Sequence, residues 1–273
     1  MDIDPLQDAP PARYAVESDS EDEIGFYPGP KPVRAKRAYQ LDIKLDDGVG
    51  TENGLIVACG SVGISWASGL DGRVVGSLVL NDVQVGEYSL TASGILVLVI
   101  SHRLPLGAEY TVARAIVEKQ TGSKPIVVID SYSYLAYISS QPTRSDSYPV
   151  RFLQTSLSSA KLPAQPYAPP NLLQHLPAAL LAECEYLEKS AVALLVPVRL
   201  IPPPAPTEPT AYSTASGEIV SDVVSLGGLV GKAIGVEVEQ LGWDATRVKA
   251  GDLSGKSKGR RKSGDIGEGG MYI

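Results

Sequence analysis

From Tyr39 the chain alternates. Tyr39, Leu41, Ile43 and Leu45 are apolar, and the residues between them are polar. A period of two marks a strand with one face on a core, and Asp46-Asp47-Gly48 ends it. The pattern then changes. Leu55-Ile56-Val57-Ala58-Cys59, set between Gly54 and Gly60, is an unbroken apolar run, as expected of a short strand covered on both faces in a parallel or mixed sheet. Residues 74–80 and 95–100 repeat that signature. Residues 107–120 place Tyr110, Ala113, Ala115, Ile116 and Val117 at helical spacing, and Gly122 beyond them is a C-cap signal. Residues 125–130 form another buried strand. Strand, helix and strand at this spacing predict an α/β core.

Residues 139–170 are rich in Pro and Ser and predict loops. Beyond Asn171, Leu173, Leu176, Leu180, Cys184 and Leu187 share one helix face. Pro177 would break a helix begun at Asn171, so it is expected as the first residue of a helix running to about Lys189. Residues 191–200 are a further buried strand, and 201–209 a Pro-rich loop. Ile219, Val220, Val223, Val224 and Val230 suit a last helix weakened by Gly227, Gly228 and Gly231. Core signals stop after Asp244.

The expected fold is a single α/β domain, with a central mixed or mostly parallel sheet flanked by helices. It carries disordered N- and C-terminal extensions. The boundaries are an acidic segment at 1–37, a core at 38–244 and a flexible tether at 245–273. Segment 1–37 holds the solvated run Glu17-Ser18-Asp19-Ser20-Glu21-Asp22-Glu23, too polar to offset its ordering entropy. It is a solubilising tail or, as the alternative, a phosphorylated acidic patch.

Composition narrows the function classes. Of 273 residues 44% are apolar, enough for a sizeable core. The net charge of −7 gives no general attraction to nucleic acid. The Pro-rich start has no apolar leader, and the run at 94–100 is too short to span a bilayer. A cytoplasmic protein with no membrane and no nucleic-acid partner is expected. Cys59 and Cys184 lie in apolar runs and are expected as buried free thiols; no spacing suggests a metal or cofactor. The basic block Lys256-Ser257-Lys258-Gly259-Arg260-Arg261-Lys262 suits a soluble tether first and a nuclear import signal second.

Two motifs imitate catalytic chemistry. Gly60-Ser61-Val62-Gly63 follows a strand but lacks the third glycine of a dinucleotide loop, and no acidic residue is evidently placed at a following strand end for a ribose. Gly63-Ile64-Ser65-Trp66-Ala67 has Ala67 where a nucleophile elbow has its second glycine. A base would have to be His102 or His175, the only histidines. An α/β hydrolase or phosphorylase-like enzyme using the Gly60–Gly69 loop, with Ser65 and His175, is therefore the alternative reading.

Gly269-Gly270-Met271-Tyr272-Ile273 is an apolar-aromatic terminus on a polar tether. Its carboxylate, phenol and apolar Met suit a narrow pocket lined by a cation and apolar walls. It is similar to the hydrophobic-Tyr-X tail of proteins that dock on the proteasome core particle. Residues 170–184, Pro-Asn-Leu-Leu-Gln-His-Leu-Pro-Ala-Ala-Leu-Leu-Ala-Glu-Cys, resemble a segment of the proteasome assembly chaperone 1 family, which there precedes a helix, a buried strand, another helix and the tail. The resemblance is sharp over roughly 30 residues, and the Pro-rich loop and long basic tether depart from it. It implies a non-enzymatic chaperone without cofactor. Its expected partners are proteasome assembly chaperone 2, as a heterodimer, and the proteasome α-subunits, on whose outer ring face the pair assists assembly and blocks premature activator binding. Met271, Tyr272 and Ile273 would be the docking residues, and a lysine between adjacent α-subunits would meet the carboxylate. Asn171, Leu176, Pro177, Ala178 and Ala179 match the family segment, with a structural role or one at the partner interface. A proteasome-docking adaptor of another type, or an activator subunit, is the other reading of the same tail. A tether of some two dozen residues reaches about 25–30 Å root-mean-square, so tail and folded domain could hold two surfaces at once.

Overall fold

The fold is a nine-stranded mixed sheet between two pairs of helices. A computed structural model describes residues 39–139, 148–199, 201, 203–212 and 220–248. In chain order the elements are β1 (Leu41–Leu45), β2 (Leu55–Cys59), α1 (Gly60–Ala67), β3 (Gly72–Leu80), β4 (Val83–Thr91), β5 (Leu96–Ile100), β6 (His102–Arg103), α2 (Ala108–Lys119), β7 (Ile126–Ser133), β8 (Arg151–Gln154), β9 (Gln165–Pro166), α3 (His175–Tyr186), β10 (Ala191–Val198), β11 (Thr210–Ala211) and α4 (Val220–Ile234). Short 3-10 turns follow at Val238–Leu241 and Ala245–Arg247.

The sheet runs β1-β3-β4-β5-β2-β7-β10-β8-β9. Its centre, β5-β2-β7-β10, is parallel, and β1, β3 and β4 form an antiparallel wing on β5. These four central strands are the continuous apolar runs of the sequence, and they are covered on both sides. Leu55, Val57 and Cys59 of β2 face one core with Val112, Ile116, Leu180 and Cys184 of α2 and α3. Ile56 and Ala58 face the other, with Val62 and Trp66 of α1 and Leu226 and Val230 of α4. Both cysteines are buried and unpaired, and burial pushes the Cys184 thiol up to about 12.

Several expectations are corrected. The segment at 60–69 is helix α1 for most of its length, not a loop. A Cβ on Gly63 would lie 2.5 Å from the Ala58 carbonyl carbon, so α1 rests almost backbone to backbone on β2. Strand β3 is not buried on both faces: Val74 is 54% exposed, because β3 pairs antiparallel with β1 and β4 away from the helices. Strand β4 had no reading of its own, since Gln84, Glu87 and Ser89 dilute its apolar pattern. Its signal was the turn: Asn81 and Asp82 both take positive φ, +48° and +65°, as a tight hairpin requires. Strands β8 and β9 sit inside the region expected to be loops.

Helix α3 begins at His175, two residues earlier than expected, with Pro177 still in the first turn, where its missing N–H has no partner to lose. It stops at Tyr186, which frees Lys189. The Lys189 ammonium donates to the carbonyls of Val117 and Gln120 and so serves the C-terminal end of α2. Gln120, not Gly122, is the C-cap of α2; Gly122 is instead pressed against the Glu52 backbone. Strand β10 ends at Val198, short of residue 200.

Beyond α4, Trp243 stacks on the buried Trp66 with ring centroids 6.5 Å apart. Its indole N–H donates to the Trp66 carbonyl at 2.9 Å. Gly227 makes room for this ring, since a Cβ there would lie 2.6 Å from it. The acidic segment at 1–37, the basic block and residues 271–273 lie outside the described residues, and Ile219 does too. Gly63→Ala is expected to push α1 off β2 and to lower unfolding stability by about 1–3 kcal/mol, read by urea titration; an unchanged midpoint would show that the close approach is not needed.

Candidate functional site

The chain leaves β2 through α1 and the β3–β4 hairpin to reach β5 on one side, then crosses through α2 to β7 on the other. Helices α1 and α2 therefore leave opposite faces of the sheet, and a crevice opens beyond the carboxyl ends of the strands. A cavity of about 1110 Å³ fills it.

Its floor is Gly60 and Asp130. Gly60 has φ +66°, and a Cβ there would lie 3.0 Å from Asp130 Oδ1. Glycine accommodates both the turn and the close carboxylate without strain. Oδ1 accepts the Ser131 N–H at 2.7 Å. Burial pushes the Asp130 carboxyl up to about 6, against the Ser131 hydrogen bonds and the nearby His175, which pull it down. Tyr212, also at the cavity, is pushed up by burial and then by the Asp130 charge.

His175 opens α3 in the left-handed region, φ +61°. Its Nδ1 lies 3.0 Å from Glu109 Oε1, tying α3 to the start of α2. The Glu109 hydrogen bond raises the His175 pKa, against desolvation. His102 Nδ1 meets the Ser101 hydroxyl at 2.9 Å, and burial lowers its pKa. The Arg103 guanidinium donates to the carbonyls of Pro203 and Pro204, drawing the Pro-rich segment across the crevice. Tyr132, Tyr137 and Tyr167 make an aromatic wall with centroids 5.4–5.9 Å apart. Arg151 stands 4.0 Å above the Tyr137 ring.

The segment of residues 170–176 closes one side of the cavity. Asn171 acts there as a clamp. Its Oδ1 accepts the Ile138 N–H at 2.8 Å, and its Nδ2 donates to the carbonyls of Ile138 at 2.8 Å and Ala168 at 2.9 Å. Two loops are thereby held side by side, yet the apolar residues they present face water: Leu172 is 79% exposed and Ile138 63%. Leu135 and Ile201 are exposed as well. Leu176 and Pro177 are buried, and Ala178 and Ala179 half-buried, with Leu176 and Ala179 packed in the core between α3 and the sheet.

Ser65 and His175 are not brought together. Ser65 is buried inside α1, past the strand-to-helix turn where an elbow serine stands. Helix α1 covers one face of the sheet and α3 the other. The Ser101 hydroxyl beside His102 already bonds the Val85 carbonyl. Met271, Tyr272 and Ile273 lie outside the described residues. The sequence reading missed Asp130, Glu109, Arg103 and Tyr212. Asp130 was findable: it is the one acid ending an unbroken apolar run, at the carboxyl end of a parallel strand. Among the described residues no three His, Cys, Asp or Glu side chains group as metal ligands, and no helix is long and apolar enough to cross a membrane.

No family model matches this sequence, and no curated protein matches it either. Solved structures do. Pyrococcus furiosus PbaA, an archaeal homologue of proteasome-assembly chaperone, superposes with a TM-score of 0.50 at 14% identity, over 72% of this chain and 87% of its own. Pyrococcus furiosus PbaB, an archaeal proteasome activator, gives 0.51 at 12% identity, over 77% and 92%. A Thermoplasma acidophilum protein of unknown function gives 0.50 at 14%, over 75% and 84%. The chain shares their fold.

Asn171→Ala should cost about 1–2 kcal/mol and speed amide exchange at Ile138, read by hydrogen–deuterium exchange; unchanged exchange would exclude the clamp. Asp130 carries a folded pKa above its unfolded value of about 3.8, so the folded state binds the proton more tightly. The ionised carboxylate then costs stability above about pH 6, and the cost fades as pH falls toward about 4. Asp130→Asn is expected to gain on the order of 1–3 kcal/mol near pH 7 and nothing near pH 4, measured by urea unfolding at both.

Proposed function

We propose that this protein is a proteasome assembly chaperone that works without catalysis. The observation that carries the reading is the fold shared with an archaeal homologue of that chaperone class. The segment of residues 170–184 supports it, because its start, residues 170–176, lines the crevice and its continuation packs α3 against the sheet. In this reading Met271, Tyr272 and Ile273 dock between α-subunits on the outer face of the proteasome ring. The folded core, 38–244, joins a second chaperone subunit, and 245–273 tethers the two contacts. The acidic segment 1–37 is an extension of the core, and the protein works in the cytoplasm and, with the basic block, the nucleus.

The exposed Ile138 and Leu172 give the second subunit a surface. Apolar side chains clamped in place and left in water are characteristic of protein contacts, so this rim is assigned to the heterodimer. Asn171 serves it by position, and Leu176, Pro177, Ala178 and Ala179 by packing α3 beneath it. The hydrolase reading has no support from Ser65, which is buried inside α1, on the opposite face of the sheet from α3 and its His175. A second reading, a proteasome activator, is favoured by the PbaB likeness. An activator raises peptide hydrolysis by mature core particle; a chaperone leaves it unchanged and prefers immature particles.

Co-expression with a second-chaperone candidate, followed by pull-down of α-subunits, tests the proposal. Removal of residues 271–273 should leave the chaperone pair intact and lower α-ring capture by about tenfold or more, in line with loss of one of two linked contacts. Equal capture would move the contact to the folded face. No capture by either form would overturn the assignment.

A further inference from the structure

The outer edge of β1 is built to pair with itself. The hydrogen-bond phase of this strand is fixed from both ends: the Asn81 N–H donates to the Gln40 carbonyl at 2.9 Å, and the Asp46 N–H to the Val75 carbonyl at 2.8 Å. With the register Leu41↔Leu80 to Leu45↔Gly76, the even-numbered residues of β1 direct their backbone groups toward β3. Leu41, Ile43 and Leu45 therefore direct theirs outward. Among the described residues no strand lies beyond β1, which ends the nine-stranded sheet.

Three outward residues, centred on Ile43, suit a two-fold axis. In an antiparallel pairing about Ile43, Leu41 of one copy meets Leu45 of the other and Ile43 meets Ile43. All three are hydrogen-bonded positions, so every outward N–H and C=O of the strand finds a partner. The residues between them carry the selectivity. Asp42 and Lys44 stand on the solvent face, both more than half exposed, with their charges 3.4 Å apart along the strand. In this register Asp42 faces Lys44 of the second copy and Lys44 faces Asp42, at the non-hydrogen-bonded positions where side chains come closest. Four charges then alternate in sign.

The neighbouring registers fail. In-register parallel pairing sets Asp42 against Asp42 and Lys44 against Lys44. An antiparallel slip of two residues in either direction sets one like pair directly opposite, and a slip of one loses the hydrogen-bond phase. Charged residues on an edge strand ordinarily block sheet extension; here their order disfavours in-register parallel pairing and both two-residue antiparallel slips. Leu41, Ile43 and Leu45, half-buried on the core face, would lose more of their exposed edge at the junction.

We propose that the chain forms an isologous dimer by antiparallel pairing of β1 with β1 of a second copy, through Asp42–Lys44 cross-strand pairs. The contact lies on the antiparallel wing, and it stands whether or not the chaperone assignment holds.

Sedimentation velocity of the full-length chain over a range of concentrations tests it. The expected result is a reversible monomer–dimer equilibrium. Lys44→Asp and Asp42→Lys, each placing like charges opposite one another, should each weaken the dimer by tenfold or more. Mixing the two single variants should give a mixed dimer, since an all-acidic edge then meets an all-basic one. The double variant carrying Asp42→Lys and Lys44→Asp should dimerise again. Both positions are exposed, so circular dichroism, and the thermal midpoint at concentrations where every form is monomeric, should stay unchanged. A chain that sediments as a monomer at all concentrations, or a dimer indifferent to the single charge reversals, overturns the proposal; so does failure of the double variant to recover.

Discussion

Four parallel strands that are apolar on both sides must be covered on both sides, and the rest of the molecule is arranged around that requirement. Strands β5, β2, β7 and β10 have no solvent face to offer. Helices α2 and α3 close one side, α1 and α4 the other. Each helix is held by something specific. Gly63 lets α1 touch the backbone of β2, Lys189 serves the end of α2, Glu109 holds the start of α3, and Trp243 locks α4 against α1. The wing of β1, β3 and β4 escapes the requirement, which is why its strands are half exposed.

Much of this was legible in the sequence. Unbroken apolar runs located β2, β5, β7 and β10, and helical spacing located α2, α3 and α4 to within a few residues. What escaped was local. Helix α1 has eight residues with glycines at its first and fourth positions, so its propensity is poor and tertiary contact makes it. Strand β4 has polar residues on its open face, and β8 and β9 pair only through β10 and one another. The candidate site was less legible than the fold. The segment at 170–184 was recognised as a unit, but its position on the crevice was not. Asp130, Glu109, Arg103 and Tyr212 converge from four places in the chain, and nothing in their spacing brings them together.

The crevice shows how one architecture can hold unrelated functions. It lies where an α/β sheet offers a ligand site, with an acid on its floor and an aromatic wall. Yet its histidines are engaged with Glu109 and Ser101, Arg103 with proline carbonyls, and the serine candidate is buried elsewhere. The order in this region goes instead into the rim, where one asparagine side chain holds two loops in place.

The place of α4 in the chain also bears on how the protein is made. One side of β2 and β7, carrying Ile56, Ala58, Val127 and Ile129, packs against α4. On a ribosome β2 emerges about 160 residues before α4, a delay of roughly 10–30 s at ordinary rates of synthesis. Until α4 follows, that side of the strands has only α1 upon it. The sheet cannot become native domain by domain from its N-terminus, because its last helix is half of one face. Completion of that face is therefore a late event in synthesis.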